Sequence, residues 1–289
     1  MPIIEPAIRP PAEADSFLLQ ITLGCSSNTC TFCGAYKTKP FKIKSLPEIW
    51  RDINEYARVY PETRKVFLMD GNALVLDQSK LVPILEKLNQ AFPKLTRISA
   101  YANGDDILRK SETQLNELSA LKFKLFYMGL ESGSQKILDI CNKKTSVETM
   151  ITAVQKAWDS QIKSLVMVLL GLGGTALSEI HVRDTILALN RMQPRLLSFL
   201  SLMLIPGTPL YAQAKQGQFY ELSTQQLLQE ASNIIQGLEL THTIFRCNHA
   251  SNYLPLEGRF PQDKGLLLSQ LNEGLSGRSY LKPEFLRGL

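Results

Sequence analysis

The sequence predicts a parallel α/β fold, namely a partial (β/α)6 TIM-like barrel with a C-terminal extension that covers the open side. Two observations predict it. Six continuously apolar stretches alternate with segments that carry apolar residues at helical spacing, which is typical of a parallel sheet covered by helices. Within two residues of its end, each stretch is followed by Gly, Asp, Asn, Ser, Pro or Cys. An open, doubly wound sheet is the structural alternative.

The predicted strands are the apolar stretches themselves. They lie at residues 17–23, 66–69, 98–101, 125–130, 165–170 and 196–205. Capping boxes mark where three of the intervening helices begin. These boxes are formed by Ser45 with Glu48, Ser111 with Gln114, and Thr145 with Glu148.

The helix after the fifth strand is predicted to bury Val182, Ile186 and Leu189, which recur at helical spacing. His181 lies among polar residues near the start of this helix, and we expect it on the surface. Cys141 lies in a helical run, and we expect it to be a buried thiol.

The chain divides by composition into three predicted regions. Residues 1–15 are rich in proline and form an extended N-terminal arm, residues 16–240 form the partial barrel, and residues 241–289 form the extension or flap. Within the extension, residues 243–245 are predicted to form a short edge strand. A helix is then predicted to anchor the flap through Leu266, Leu267, Leu268 and Leu271.

Composition excludes several classes of protein. The 289 residues are 44% hydrophobic and 20% charged, as is usual for a globular protein. No signal peptide is recognisable, and the apolar runs are too short to span a bilayer. We therefore expect a cytoplasmic protein that does not contact membranes. The net charge of +5 includes no block of like charges, so nucleic-acid binding is not indicated.

Three of the five cysteines are grouped with the spacing C-x4-C-x2-C, at Cys25, Cys30 and Cys33. Such spacing indicates metal binding rather than disulfides. No His or further Cys follows within about a hundred residues, which disfavours a closed zinc site, since that needs four ligands. Three thiolates on a [4Fe–4S] cluster would leave one iron open to a small molecule. A zinc or redox site remains the alternative.

This motif resembles that of the radical S-adenosylmethionine (SAM) superfamily, in which three cysteines hold the cluster and SAM binds the open iron. Phe32 matches the aromatic residue that usually precedes the last cysteine. The spacing has one residue more than the common C-x3-C-x2-C, as in the archaeal Elongator catalytic subunit. General similarity extends to oxygen-independent coproporphyrinogen oxidases. The resemblance covers roughly residues 15–240.

The resemblance implies an enzyme that reductively cleaves SAM at the cluster. The resulting 5′-deoxyadenosyl radical would abstract hydrogen from a substrate that the sequence does not identify. A one-electron donor of the flavodoxin or ferredoxin type would be needed. The competing hypotheses are a non-catalytic Fe–S or zinc protein and a radical SAM enzyme that modifies RNA.

The residues that follow the strands are the candidate cofactor ligands, because sites in parallel α/β folds lie at the carboxyl ends of the strands. By resemblance, Asp70, Gly71 and Asn72 occupy the position of the motif that binds the SAM ammonium. Glu131 and Ser132 would face the ribose, and Lys143 would approach the SAM carboxylate. The remaining candidates are Phe32 beside the adenine, Gly171 and Gly174 where the backbone would approach it, and Tyr101 and Asn103 after the third strand.

A polar segment at residues 246–253 is the candidate substrate site. It follows the sixth helix and lies between two apolar stretches. Since a partial barrel needs a cover to keep a radical from water, we expect this segment to line the substrate side. Asn248, His249 and Asn252 would orient substrate, and Cys247 is a weaker candidate for giving up a hydrogen atom. An ordinary surface loop is the alternative.

Overall fold

The computed structural model describes residues 3–288, within which lie ten β-strands and ten α-helices. The strands are β1 Phe17–Gln20, β2 Thr22–Leu23, β3 Lys42–Ile43, β4 Lys65–Met69, β5 Arg97–Tyr101, β6 Phe123–Glu131, β7 Lys163–Leu170, β8 Leu196–Ser201, β9 Ile244–Arg246 and β10 Glu257–Arg259. The helices are α1 Leu46–Val59, α2 Gln78–Ala91, α3 Gly104–Arg109, α4 Glu112–Ala120, α5 Gln135–Ile140, α6 Val147–Asp159, α7 Gly174–Met192, α8 Pro209–Lys215, α9 Thr224–Gly237 and α10 Lys264–Leu275.

The described chain divides into two compact units. The first comprises residues 3–28, 35–128 and 156–164. Its sheet is parallel, with β1 beside β4, β4 beside β5, and β5 beside β6. Helix α1 packs against α2 and β1, and the strands are buried because helices cover them.

The second unit comprises residues 29–34, 129–155 and 165–288. Strands β7, β8 and β9 are parallel, and β10 runs antiparallel to β9. Helix α9 packs against both α7 and α10. The last strand and helix of the chain are therefore built into this unit.

The predicted fold class is confirmed, since the structure is an α/β protein with mainly parallel strands, and each predicted strand is present. Two strands are shorter than predicted. The first is interrupted after Gln20, because β2 leaves the sheet to pair with β3. The sixth ends at Ser201 rather than at Ile205. Within residues 3–288, no helix is both long and apolar enough to cross a membrane.

Two of the three predicted capping boxes are present, at Ser45 and Ser111. The third prediction is wrong by one residue. The hydroxyl of Ser146, not that of Thr145, accepts the hydrogen bond from the Thr149 amide at the start of α6. Thr145 itself is buried.

The predicted surface position of His181 is also wrong. The side chain is 0% exposed, because the buried face of α7 passes through His181, Thr185 and Leu189. Val182 and Ile186 lie to the side of this face and are partly exposed. Polar neighbours in sequence do not report on the face of a helix, since residues three and four apart share a face.

The N-terminal arm is not extended throughout, and it places a buried carboxylate in the first unit. Residues 1 and 2 lie outside the described residues. Residues Pro11–Glu13 form a 3-10 turn that places the Glu13 carboxylate, 0% exposed, among polar groups of the first unit. Glu13 Oε1 lies 2.8 Å from Arg97 Nη2 and accepts hydrogen bonds from Ser99 and Tyr127. The arm is thus fixed by a compensated buried charge.

The extension contains the predicted strand and helix, but the strand is not at the edge of the sheet, because β9 has β8 on one side and β10 on the other. Strand β9 pairs with β8 at nearly the predicted position. In α10, Leu267 and Leu271 are buried, whereas Leu266 is exposed. Residue 289 lies outside the described residues, and the covering of an open side by this extension stays a prediction.

Candidate functional site

Cys25 is half-buried in the first unit, and a backbone hydrogen bond of the preceding residue holds it next to the end of β4. The carbonyl of Gly24 accepts a hydrogen bond of 2.9 Å from the Gly71 amide. A side chain on Gly71 would place its Cβ 2.8 Å from Cys25 Sγ. The glycine therefore allows the cysteine to lie directly against the β4 turn.

Asp70 holds this turn together from within. Its carboxylate is 0% exposed, forms an ion pair with Lys39, and accepts a 2.9 Å hydrogen bond from the Gly24 amide. Its backbone is left-handed, with a φ of 69°, a strained conformation for this residue type. The carboxylate oxygens therefore already have partners within the protein.

Asn72 carries an acceptor that no part of the described chain satisfies. The residue is 0% exposed, and its amide nitrogen donates to Ser26 Oγ at 3.1 Å and to Asp106. Its Oδ1 atom is buried without a hydrogen-bond partner among residues 3–288. A buried acceptor in this state is costly unless a ligand donates to it.

Tyr101 and Asn103 follow β5 in the same unit. Tyr101 packs edge-on against Phe67 and Tyr127, at ring-centroid distances of 5.4 and 5.9 Å. Asn103 is half-buried, and its carbonyl accepts from the Ile107 amide at the start of α3. Both residues lie at the carboxyl end of the strand, as predicted.

Cys30 and Cys33 are half-buried in the second unit, where residues 29–34 dock on a neighbouring turn. The Thr31 amide donates to the Cys141 carbonyl at 2.9 Å, and the Thr31 carbonyl accepts from the Leu210 amide at 3.0 Å. Cys141 is buried as predicted, and burial raises the pKa of its thiol to about 11. A thiol with that pKa is a packing residue rather than a reactive one.

Phe32 packs into protein. It lies against an apolar cluster of the second unit that includes Ile137, Cys141 and Leu202. These contacts fix the backbone between Cys30 and Cys33, so Phe32 orients the cysteine loop whether or not its ring also contacts a ligand.

Glu131 ends β6 as a strained, half-buried carboxylate. Its φ is 63°, and its Oε1 atom lies 3.5 Å from Lys143 Nζ. The Glu131 carboxylate lies over Gly129, where any Cβ would collide with it. Glu131 and Lys143 thus place one carboxylate and one ammonium group side by side.

Ser132, Gly171 and Gly174 contact other parts of the second unit. Ser132 is 0% exposed, and its hydroxyl is 2.8 Å from His181 Nδ1. A Cβ on Gly171 would lie 2.9 Å from the Leu227 side chain, and one on Gly174 would lie 2.8 Å from the Tyr220 carbonyl. Protein atoms, rather than open space, therefore approach these two glycines.

The segment 246–253 lies at the carboxyl end of β8, since Ser251 Oγ accepts from the amide of Ser201, the last residue of that strand. Asn252 is buried and fully engaged, because it donates to the carbonyls of Phe199 and Cys247 and accepts from Ser201. Cys247 is also buried, and burial raises its pKa to about 12.

The remaining two candidates of the segment differ. His249 is half-buried with its Nδ1 atom 2.9 Å from Ser251 Oγ, and Asn248 is exposed. Burial, together with the nearby Lys282 charge, lowers the pKa of His249, so its ring is neutral at pH 7. Of the four predicted substrate residues, these two have side chains open to a ligand.

The side chains fit the cofactors that the cysteine motif implies. All five cysteines lie in the described part of the chain and none forms a disulfide. Within residues 3–288, no three His, Cys, Asp or Glu side chains are close enough to hold a single metal ion. A cubic cluster makes a different demand, because its thiolates bind separate irons. The unsatisfied Asn72 oxygen further suits an ammonium donor.

Some of these partners had no signal in the sequence. Lys39 reaches Asp70 from a distant position in the chain, so neither spacing nor composition marks it. Asp106, which accepts from Asn72, does belong to the polar residues that follow the third strand. Gly129 did carry a signal, because it opens the Gly-x-Glu-Ser-Gly segment at residues 129–133.

Solved structures share this fold. TsrM from Kitasatospora setae, a radical SAM methyltransferase solved with cobalamin and a [4Fe–4S] cluster, has a TM-score of 0.55 at 18% identity, over 70% of this chain and 39% of its own. Coproporphyrinogen III oxidase (HemN) from Escherichia coli has a TM-score of 0.55 at 17% identity, over 76% of this chain and 50% of its own. Elp3 from the archaeon Methanocaldococcus infernus has a TM-score of 0.51 at 16% identity, over 92% of this chain and 64% of its own.

The match therefore spans from about two fifths to just under two thirds of the length of these three proteins. At such identities the likeness concerns the fold alone. No curated protein sequence matches this chain.

A family model supplies the assignment. The radical SAM superfamily model matches residues 19–186, which is more than half of the chain and includes the three clustered cysteines. Members of this superfamily bind a [4Fe–4S] cluster and SAM. The chain therefore belongs to the radical SAM superfamily and is an enzyme of the radical SAM type.

Proposed function

We propose that Cys25, Cys30 and Cys33 hold the [4Fe–4S] cluster of this enzyme and that the open iron binds SAM. The observation that carries the proposal is the presence of these three half-buried thiols, free of disulfides, inside the segment that matches the family. The other two cysteines are buried and have raised pKa values, so they are poor ligands at pH 7.

We further propose roles for three polar side chains toward SAM. The unsatisfied Oδ1 atom of Asn72 accepts from the ammonium group. The Glu131 carboxylate accepts from the ribose hydroxyls, since ionised carboxylates are acceptors only. Lys143 attracts the SAM carboxylate as a point charge. The remaining proposed SAM contacts rest only on their position after β4 and β5; they are Gly71, Tyr101 and Asn103.

Asp70, Ser132, Gly171 and Gly174 have another role in this proposal. Their contacts are with the protein itself, and they position the residues beside them. Phe32 fixes the cysteine loop.

When bound, the cluster and SAM supply the radical chemistry, and the protein contributes binding, orientation and exclusion of water. Asn72 and Glu131 would set the position of SAM. Asn248 and His249 would orient the substrate, with the extension 241–289 as the cover of the open side. Asn252 would act as the brace of that segment rather than as a substrate ligand.

A one-electron donor is required by the chemistry of the family, and we propose a flavodoxin or ferredoxin type. We also propose a cytoplasmic location, because thiols remain reduced there.

The experiment is anaerobic reconstitution with iron and sulfide, followed by metal analysis and EPR spectroscopy. About four irons and four sulfides per chain, with a reduced-cluster signal that changes when SAM is added, are expected. One zinc per chain, or a cluster signal indifferent to SAM, would overturn the proposal.

A further inference from the structure

Helix α7 carries a row of polar side chains on its inner face. Ser178, His181 and Thr185 are spaced three and four residues apart, so they lie on one side of the helix. His181 and Thr185 are each 0% exposed. None of these residues is needed to form the helix, and apolar residues would pack there at lower cost.

Two of the three residues hold the turn that follows β6. His181 Nδ1 lies 2.8 Å from the Ser132 hydroxyl oxygen, and this oxygen accepts a hydrogen bond of 3.1 Å from the Ser134 amide. Thr185 Oγ1 accepts a 2.9 Å hydrogen bond from the Gly133 amide. The turn begins directly after Glu131, so these bonds fix the backbone that carries the Glu131 carboxylate.

The third residue acts through Glu230 of α9 on the turn that follows β7. The Ser178 hydroxyl donates to Glu230 Oε2, and the Gly171 amide donates to Glu230 Oε1 at 2.6 Å. Glu230 is 2% exposed. The buried Glu230 carboxylate thus accepts from the backbone at Gly171, the first residue after β7.

His181 and Glu230 join the two turns. His181 Nε2 lies 3.8 Å from Glu230 Oε1 and has no hydrogen-bond partner within the described chain. Burial lowers the pKa of His181 to about 4 and raises that of Glu230 to about 7. The imidazole is therefore neutral at pH 7, and the pair carries at most one negative charge.

We propose that His181 and Glu230 are positioning residues, which hold the turns after β6 and β7 in place and thereby set the orientation of Glu131 toward SAM. This inference rests on the proposed function, because it takes Glu131 to be a SAM contact. A strained residue such as Glu131 keeps its conformation only where its surroundings determine it, and the turn that His181 and Thr185 hold follows Glu131 directly.

The test uses the cluster-reconstituted chain with four substitutions: His181→Leu, Glu230→Leu, Glu230→Gln and Thr185→Val. Amide hydrogen exchange at residues 131–134 and 171–174 is measured without SAM, and the SAM Kd is measured by calorimetry. Thr243→Val is the matched control, because it removes another buried hydrogen bond of the second unit, from Thr243 Oγ1 to the Pro194 carbonyl.

We expect faster exchange in both turns and an approximately tenfold weaker SAM Kd for the two Leu variants, equivalent to about 1.4 kcal/mol. Glu230→Gln, which keeps an acceptor for the Gly171 amide, should restore most of the affinity. If the Leu variants do not fold, Thr185→Val should still speed exchange at residues 131–134 and weaken SAM binding. Thr243→Val should change neither quantity.

Unchanged exchange in the turns overturns the inference, and so does an equal loss of SAM affinity in Thr243→Val. The variant Glu131→Gln separates a failure of this inference from a failure of the proposed role of Glu131. If Glu131→Gln weakens SAM binding while the positioning variants leave it unchanged, the inference alone fails. If Glu131→Gln also binds SAM normally, the proposed role of Glu131 fails and the inference with it.

Discussion

Lys39 Nζ lies 2.6 Å from Asp70 Oδ2, and the two side chains are only 5% and 0% exposed. The same carboxylate accepts from the amide of Gly24, which precedes Cys25. One buried ion pair therefore connects the loop after the cysteine motif, the end of β4 and the first cysteine. Breaking this pair would leave an uncompensated buried charge beside the cysteine loop.

Asp70→Asn should lower the free energy of unfolding by roughly 3–5 kcal/mol, because Lys39 would remain buried without its counter-charge. Chemical denaturation measures this. The exposed pair of Lys94 and Glu62 provides the control, and Glu62→Gln should cause no measurable loss. Equal losses of unfolding free energy for the two substitutions would show that burial of the Asp70 pair does not affect stability.

Glu131→Gln should weaken SAM binding by about 1–3 kcal/mol, because an acceptor of two hydroxyl donors becomes a neutral amide. Gly129→Ala should have a similar effect, since the added methyl group would displace the Glu131 carboxylate. Calorimetry with SAM measures both. Gly265→Ala, at a glycine with no atom within 4 Å of its would-be Cβ, is the control. Normal SAM affinity in folded Glu131→Gln would exclude the contact.

Glu230 and His181 should give opposing pH dependences of stability. Burial raises the pKa of Glu230 from 4.5 to about 7, so the folded state binds its proton more tightly and stability falls as pH rises from 4.5 to 7. Burial lowers the pKa of His181 from 6.5 to about 4, so stability rises with pH between 4 and 6.5. The two slopes largely cancel where the windows overlap.

Glu230→Gln separates them. Relative to this variant, the unsubstituted protein should lose up to about 3 kcal/mol of unfolding free energy between pH 4.5 and 7. Urea denaturation at a series of pH values measures the difference. A difference that does not vary with pH would mean that Glu230 titrates normally in the folded protein.

Asn252→Ala should destabilise the protein by about 1–3 kcal/mol, because the carbonyls of Phe199 and Cys247 would lose their donor. His249→Ala should cost much less, since the hydrogen bonds of its Nδ1 atom are with Ser251, two residues along the same segment. Thermal denaturation compares the two. A stable Asn252→Ala protein would return Asn252 to the set of substrate candidates.

Much of the fold follows from local sequence. The apolar runs at 66–69 and 125–130 are buried strands because parallel strands covered on both faces need no polar alternation. The sequence does not predict the short helices α3 and α8, since six or seven residues are too few to establish a helical period. Each lies in a turn whose Gly, Asp or Pro residues favour a loop.

The site was predictable only in part. The cysteine spacing and the Gly-x-Glu-Ser-Gly segment are local patterns, and they identify Cys25, Cys30, Cys33 and Glu131 as candidates. The burial of Ser132 and Asn252 depends on partners some fifty residues away, His181 and Ser201. The sequence contains no sign of such distant contacts, so it does not distinguish rim residues that bond to the protein from those that face a ligand.

The most direct test is anaerobic incubation of the reconstituted protein with SAM and dithionite, followed by mass spectrometry for 5′-deoxyadenosine. The unsubstituted chain and its Cys141→Ala and Cys247→Ala variants should produce it. Alanine at Cys25, Cys30 or Cys33 should abolish both the formation of 5′-deoxyadenosine and the cluster absorbance at about 410 nm, since each substitution removes one of three thiolates. No 5′-deoxyadenosine from a fully loaded chain, or equal loss with Cys141→Ala, would contradict the assignment.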